Sequence, residues 1–253
     1  MPGNEVNVVN FLIENKDFLR VNHIGLVKTI QNPSPNGSLE DIESAESVIT
    51  ESSGKKADIF INGHGISIKQ EGGSFAYNRI QRAGIKDLFI KLGLKDPDNA
   101  IAKLDNLIEV FHSGKITRTR PWSEAFNESD FKLLLKFLMM DGSVNLKESD
   151  FPASYILTMP KSDLRADNIH CYTFDEYFKY YKDKIFVSLR RQWVGQSSNS
   201  EHKRALGLMR NEGNSPWVFS DVVGTPRTGW RNESEIPKSD RKTVYMIFIE
   251  VKD

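Results

Sequence analysis

Asp58, Ser67 and Lys69 are the residues whose types and spacing point most directly to chemistry. Residues 56–61 read as a short strand and residues 66–70 as its return. Between them Asn62-Gly63-His64-Gly65 reads as a tight reversal, because Asn and Gly accept the positive φ angles of a hairpin turn. A two-residue turn sets Asp58 opposite Ser67, and a four-residue loop sets it opposite Lys69. Side chains alternate along a strand, so either register leaves all three on one face and Ile59, Ile61, Ile66 and Ile68 on the other. A carboxylate and an ammonium held at the edge of a buried hairpin suit a metal-dependent phosphodiesterase site. The carboxylate would hold a cation and the lysine would steady an attacking water. On a merely wet face the same two groups are an ordinary cross-strand pair, worth well under about 1 kcal/mol.

Upstream, residues 38–52 read as a helix. Ser38 suits its N-cap, Asp41 the capping-box position, and Ser52-Ser53-Gly54 its end. Leu39, Ile42, Ala45 and Ile49 form its apolar stripe. Glu46 falls within about 40° of Ile42, inside that stripe, whereas Glu40 and Glu51 point away. A carboxylate on a core-facing stripe needs a cation or an ionic partner. Glu46 is therefore expected beside Asp58, or at the rim paired with a lysine.

A helix glutamate, a strand aspartate and a hairpin ending in acid-X-Lys resemble the core of the PD-(D/E)XK nuclease superfamily. The resemblance covers about residues 38–82, and Lys55 to Gln70 is similar to the catalytic hairpin of type II restriction endonucleases. Ala57 stands where the motif has Pro, and Ser67 where it has its second acid. The resemblance implies an α/β fold, with a mixed central sheet flanked by helices. It implies Mg²⁺ on Asp58, with Glu46 supplying the second carboxylate, and Lys69 orienting water and countering developing charge. Ser67 would touch phosphate or a water at the cation. Glu43, Gln70 and Glu71 are the other candidate ligands; downstream, Gln81, Arg82 and Ala83 stand where a migrated acid would fall. The implied reaction is hydrolysis of double-stranded DNA to 5′-phosphates by a prokaryotic, cytoplasmic enzyme, often a homodimer on a two-fold site. A repair or recombination nuclease on the same core, and a non-catalytic DNA-binding protein, are the alternatives.

DNA contacts are expected from the segments that follow. Ser74 reads as the cap of a helix over residues 75–82, whose N-terminus suits a phosphate. On it Asn78, Arg79, Gln81 and Arg82, with Gln70 just before, are side chains that read phosphates or base edges. Residues 190–200, which include Arg191, read as a small, polar loop after a basic strand end, and Arg227 and Arg231 flank Trp230 on a Gly/Pro loop. Trp217 and Trp230 read as packing residues.

The chain that must position these groups has 253 residues and a formal net charge of zero. That excludes a uniformly basic coat but not local basic clusters. Cys171 is the one cysteine, which excludes an internal disulfide. No basic-then-apolar leader and no membrane-length apolar run is present, which fits a soluble protein in a reducing compartment. The five histidines miss metal-ligand spacings, and no nucleophile elbow or phosphate-binding glycine loop occurs. Helices are expected at 6–20, 86–92, 98–112, 129–140 and 174–181, strands at 155–159, 185–187 and 244–251, and a loop at 31–37. The last strand, apolar on both faces, should be interior to a sheet. No flexible linker stands out, so residues 1–253 read as a single domain with its catalytic core at about 38–90.

Overall fold

The computed structural model describes residues 5–34, 37–47, 55–70, 75–160, 163–232 and 236–251. In chain order its elements are α1 (Glu5–Glu14), β1 (Arg20–Val21), β2 (Gly25–Leu26), β3 (Ile30–Pro33), β4 (Leu39–Asp41), β5 (Ile59–Ile61), β6 (His64–Gln70), β7 (Phe75–Ile80), α2 (Arg82–Lys91), α3 (Pro97–His112), β8 (Thr119–Pro121), α4 (Glu128–Lys136), β9 (Tyr155–Met159), β10 (His170–Tyr172), α5 (Phe174–Tyr181), β11 (Ile185–Trp193), α6 (Asn199–Met209) and β12 (Thr243–Val251). The protein is mixed α/β and divides into two compact units, each assembled from separated stretches of chain. One takes residues 1–74, 134–184 and 251–253, the other 75–133 and 185–250.

The first unit is built on a six-stranded mixed sheet in the order β10-β9-β6-β5-β3-β4. Strands β3, β5 and β6 form an antiparallel meander, and β9 runs parallel to β6. The hairpin β5–β6 forms for the reason the sequence offers. Asn62 and Gly63 take φ values of 50° and 80°, the doubly positive pair that matches strand twist. Asn62 also locks the hairpin to the chain leading into β3. Its Oδ1 accepts the Lys28 and Thr29 N–H groups at 2.9 and 3.1 Å, and its Nδ2 donates to Leu26 O at 2.8 Å. Ile59, Ile61, Ile66 and Ile68 are buried beneath the sheet with Val8, Val9 and Leu12 of α1 and Leu157 and Met159 of β9. Helix α1 thus lies against the strand that carries Lys69.

The second unit holds a four-stranded sheet in the order β7-β12-β11-β8, with β12 interior as its two apolar faces require. Helices α2 and α3 pack together through Ile85, Leu88, Phe89, Ile101, Leu104 and Ile108.

Three expectations are corrected. Residues 31–37 are not a loop throughout: Ile30–Pro33 is strand β3, and Pro33 is tolerated at its end. The expected helix from residue 38 is instead the edge strand β4 followed by one 3₁₀ turn, Ala45–Ser47; residues 48–54 lie outside the described residues. Pairing of Leu39–Asp41 with β3 outweighs the capping signal. Residues 75–80 are strand β7 rather than helix, and α2 begins only at Arg82.

Candidate active site

The two-residue turn sets the register Ile59↔Ile66 and Ile61↔His64, so Asp58, one residue before β5, faces Ser67. Asp58 N–H donates to Ile66 O at 2.7 Å, and Asp58 Oδ2 accepts the Ile68 N–H at 2.7 Å. Lys69 Nζ lies 4.0 Å from the same carboxylate oxygen. It donates to Ser67 Oγ at 2.7 Å and to Ile68 O at 3.1 Å. The three residues singled out by spacing thus form one group, Lys69 hydrogen-bonded to Ser67 and ion-paired with Asp58. Asp58 and Lys69 keep 27 % and 17 % of their side-chain surface, whereas Ser67 keeps only 1 % of its own. Ser67 therefore holds the ammonium from beneath.

The charge of Glu5, on α1, bears on this group. Burial pushes the Glu5 carboxyl above its usual range, and the negative charge of Asp58 pushes it further. Lys69 and Lys55 oppose that shift. Glu5 is thus electrically coupled to both ends of the Asp58–Lys69 pair. Lys55 Nζ donates to Asn32 Oδ1 on β3 at 3.1 Å and to Asp58 O at 3.5 Å. Its own pKa is lowered by burial, against the pull of Asp58 and Glu5. Lys56, pushed down to about 8 by burial and by the charge of Lys69, donates to Leu138 O at 2.8 Å.

The oxygen donors of Asp58 and Glu5 fit a hard cation. Burial is the larger cause of the Glu5 shift and repulsion by Asp58 the smaller; a divalent ion held by these carboxylates would offset the repulsion. Among the described residues no group of three or more His, Cys, Asp or Glu side chains converges on a metal position. A pair of carboxylates suits Mg²⁺, which keeps several waters and commonly takes one or two protein carboxylates plus substrate phosphate.

Glu46 does not join this group. It is exposed on the Ala45–Ser47 turn, so the helical phase that selected it has no helix beneath it. Glu43 is likewise exposed. Glu71 and Ser74 lie outside the described residues, as do the side chains of Gln70 and Asn78. Sequence reasoning missed Glu5, Lys55 and Asn32. A signal for Glu5 was present: Glu5, Val8, Val9 and Leu12 fall at i, i+3, i+4 and i+7, one face of a helix whose other members are buried.

The remaining expected DNA contacts belong to the second unit. Arg79 is exposed on β7. Gln81 precedes α2, and its Oε1 accepts the Asn214 amide at 3.4 Å. Arg82 is tied to Asp105 by Nε at 3.1 Å and Nη2 at 3.3 Å, with its guanidinium 5.6 Å from the buried Trp217 ring, which suits internal packing. Arg191 lies inside β11, not in a loop; its guanidinium stacks 4.2 Å from the Phe111 ring and donates to Phe111 O at 2.7 Å. Arg227 is exposed, and Arg231 Nε donates to Gln196 O at 3.2 Å.

No described helix is long and apolar enough to cross a membrane. Comparison of the chain with protein-family models, with curated proteins and with solved structures finds no match.

Proposed function

We propose that the protein is a Mg²⁺-dependent nuclease of the PD-(D/E)XK type, acting as a type II restriction endonuclease on double-stranded DNA. One observation carries the reading: Asp58 and Lys69 lie 4.0 Å apart on a buried hairpin, the acid anchored on the Ile68 N–H and the lysine on Ser67 Oγ, with the charge of Glu5 acting on both. Chain order supports it. A helix bearing Glu5 comes first, then Asp58 ahead of β5, then β6 ending in Ser67-X-Lys69. That is the helix-Glu, strand-Asp, hairpin-Lys order of the resemblance, with Ser67 in place of its second acid and Glu5 in the role first given to Glu46.

Asp58 and Glu5 would hold Mg²⁺, which when bound lowers the pKa of water and offsets charge on the phosphate. Asp58 is fixed for this role, because Oδ2 is anchored on the Ile68 N–H. Lys69 supplies a point charge and N–H donors towards the attacking water and the phosphate. Ser67 Oγ accepts one Lys69 proton and so fixes the direction of the ammonium. Lys55 adds positive charge on the other side of Asp58.

The reading is tested by incubating the protein with phage DNA and Mg²⁺. Discrete fragments ending in 5′-phosphates are expected. Nicking that follows DNA structure rather than sequence would assign the same core to repair or recombination, and binding without cutting would contradict catalysis.

A further inference from the structure

In the second unit a cavity of about 970 Å³ opens beside the end of α3, the end of β11 and the loop at residues 219–225. Two indoles meet in it: Trp193 and Trp230 lie 5.6 Å apart at 87°. A guanidinium stands near each, Arg191 at 5.8 Å from Trp193 and Arg241 at 5.2 Å from Trp230. Glu109 and Asp221 add carboxylates to the lining.

The walls are fixed in place. Phe219 exchanges backbone hydrogen bonds of 3.0 and 2.8 Å with Thr243 of β12. Val223 N–H donates to His112 O at 3.2 Å, and Arg191 bridges Phe111 O and Val223 O. Gly195, at φ +84°, lies against Trp230; a Cβ there would come within 3.2 Å of the indole, so the ring seats on bare backbone.

These walls select a guest. Indole faces favour a flat π system. The Arg191 and Arg241 guanidiniums already take cation–π positions on the two indoles, which leaves less for a methylated ammonium to gain there. Carboxylates at the lining accept N–H groups, which a pure hydrocarbon guest lacks. The volume lies within the roughly 300–1,000 Å³ common for ligand sites. We propose that this cavity binds a nucleobase, stacked on the half-buried Trp230, which the buried Trp193 backs, with its amino edge towards Asp221 or Glu109. The base comes from a free nucleotide or from a residue turned out of a DNA strand. Only the second source rests on the nuclease reading.

The test uses the full chain without Mg²⁺. In one arm dAMP, dGMP, dCMP and TMP are titrated while tryptophan fluorescence is followed. In the other, a short duplex with one mismatched pair competes with its fully paired counterpart, since a mismatched base is less costly to turn out. Saturable nucleotide binding is expected if the source is a free nucleotide, and preference for the mismatch if it is DNA. Trp230→Ala should weaken either by about tenfold or more, the loss of one base–aromatic stack. Trp122→Phe, a ring stacked on Phe131 away from the cavity, should change neither. Should Trp230→Ala fail to fold, Asp221→Asn, exposed at the lining, serves in its place. It should weaken adenine, guanine and cytosine relative to thymine, which has no exocyclic amine. The proposal is overturned if neither arm gives a signal, or if the folded variant leaves the signal and the base order unchanged. Nucleotide binding that survives a failure to cut DNA would sink the nuclease reading and leave this site standing.

Discussion

The Asp58 carboxylate accepts its hydrogen bond from the backbone of Ile68, the residue between Ser67 and Lys69, at 2.7 Å. The acid and the lysine are therefore not independent surface charges. They are two ends of one backbone-anchored unit, whose register is set by a two-residue turn.

Lys69 should be intolerant of change. Lys69→Ala should slow cleavage by about 10²–10³-fold, the usual cost of one lost charge stabiliser. Lys69→Arg should fail as well, since a planar fork cannot replace a point charge seated on Ser67 Oγ. Ser67→Ala should lower the rate less than Lys69→Ala while leaving DNA affinity in Ca²⁺ unchanged. Single-turnover rates and binding titrations read both.

Glu5→Gln should sharply reduce cleavage and weaken Mg²⁺ affinity, whereas Glu46→Gln should leave both within about twofold, as exposed substitutions commonly do. Metal titration of the two variants side by side is the check. Equal behaviour would remove Glu5 from the site.

The raised Glu5 pKa makes a statement about stability. A carboxyl whose folded pKa lies above its ordinary 4.5 favours the fold while protonated, below that value. The contribution is lost as pH rises through the raised pKa. Without metal, Glu5→Gln should therefore melt higher than the parent at neutral pH. The difference should vanish as pH falls below 4.5. Added Mg²⁺ should narrow the gap at neutral pH by stabilising the parent alone. Melting curves across pH, with and without Mg²⁺, decide this; a gap independent of pH would contradict it.

Asn62→Ala removes three side-chain hydrogen bonds and a residue suited to φ 50°. It should destabilise the fold by about 1–3 kcal/mol. It should also slow cleavage less than Lys69→Ala, because it disturbs the hairpin tip and not the charged group. Chemical denaturation measures the first effect and cleavage rates the second.

The hairpin was legible because its signals are local. Asn-Gly fixes the turn, and strict alternation puts four isoleucines under it and the charged residues above. The edges of the same sheet were not. Leu39–Asp41 carries helix-start residues yet pairs with Ile30–Pro33, and β3 itself was hidden by Pro33 and the turn residues after it. There tertiary pairing outweighs local preference. The same error moved the helix glutamate. Glu46 was chosen from the phase of a helix that does not form, while Glu5 satisfies the phase rule on one that does. Phe75–Ile80 lacks clean alternation, so its strand state comes from its pairing with β12. The intramolecular partners of Arg82 and Arg191, namely Asp105, Trp217 and Phe111, are distant in sequence and so could not be read from it.

The most direct measurement is cleavage of phage DNA in Mg²⁺ by the parent protein and by Asp58→Ala, both first shown to be folded. Asp58→Ala loses one hydrogen-bonded carboxylate and opens no apolar cavity, so its fold and its DNA binding in Ca²⁺ should persist. Discrete fragments are expected from the parent, none without Mg²⁺, and none from Asp58→Ala. Fragments from Asp58→Ala at the parent's rate, or no cutting by either protein, would contradict the nuclease reading.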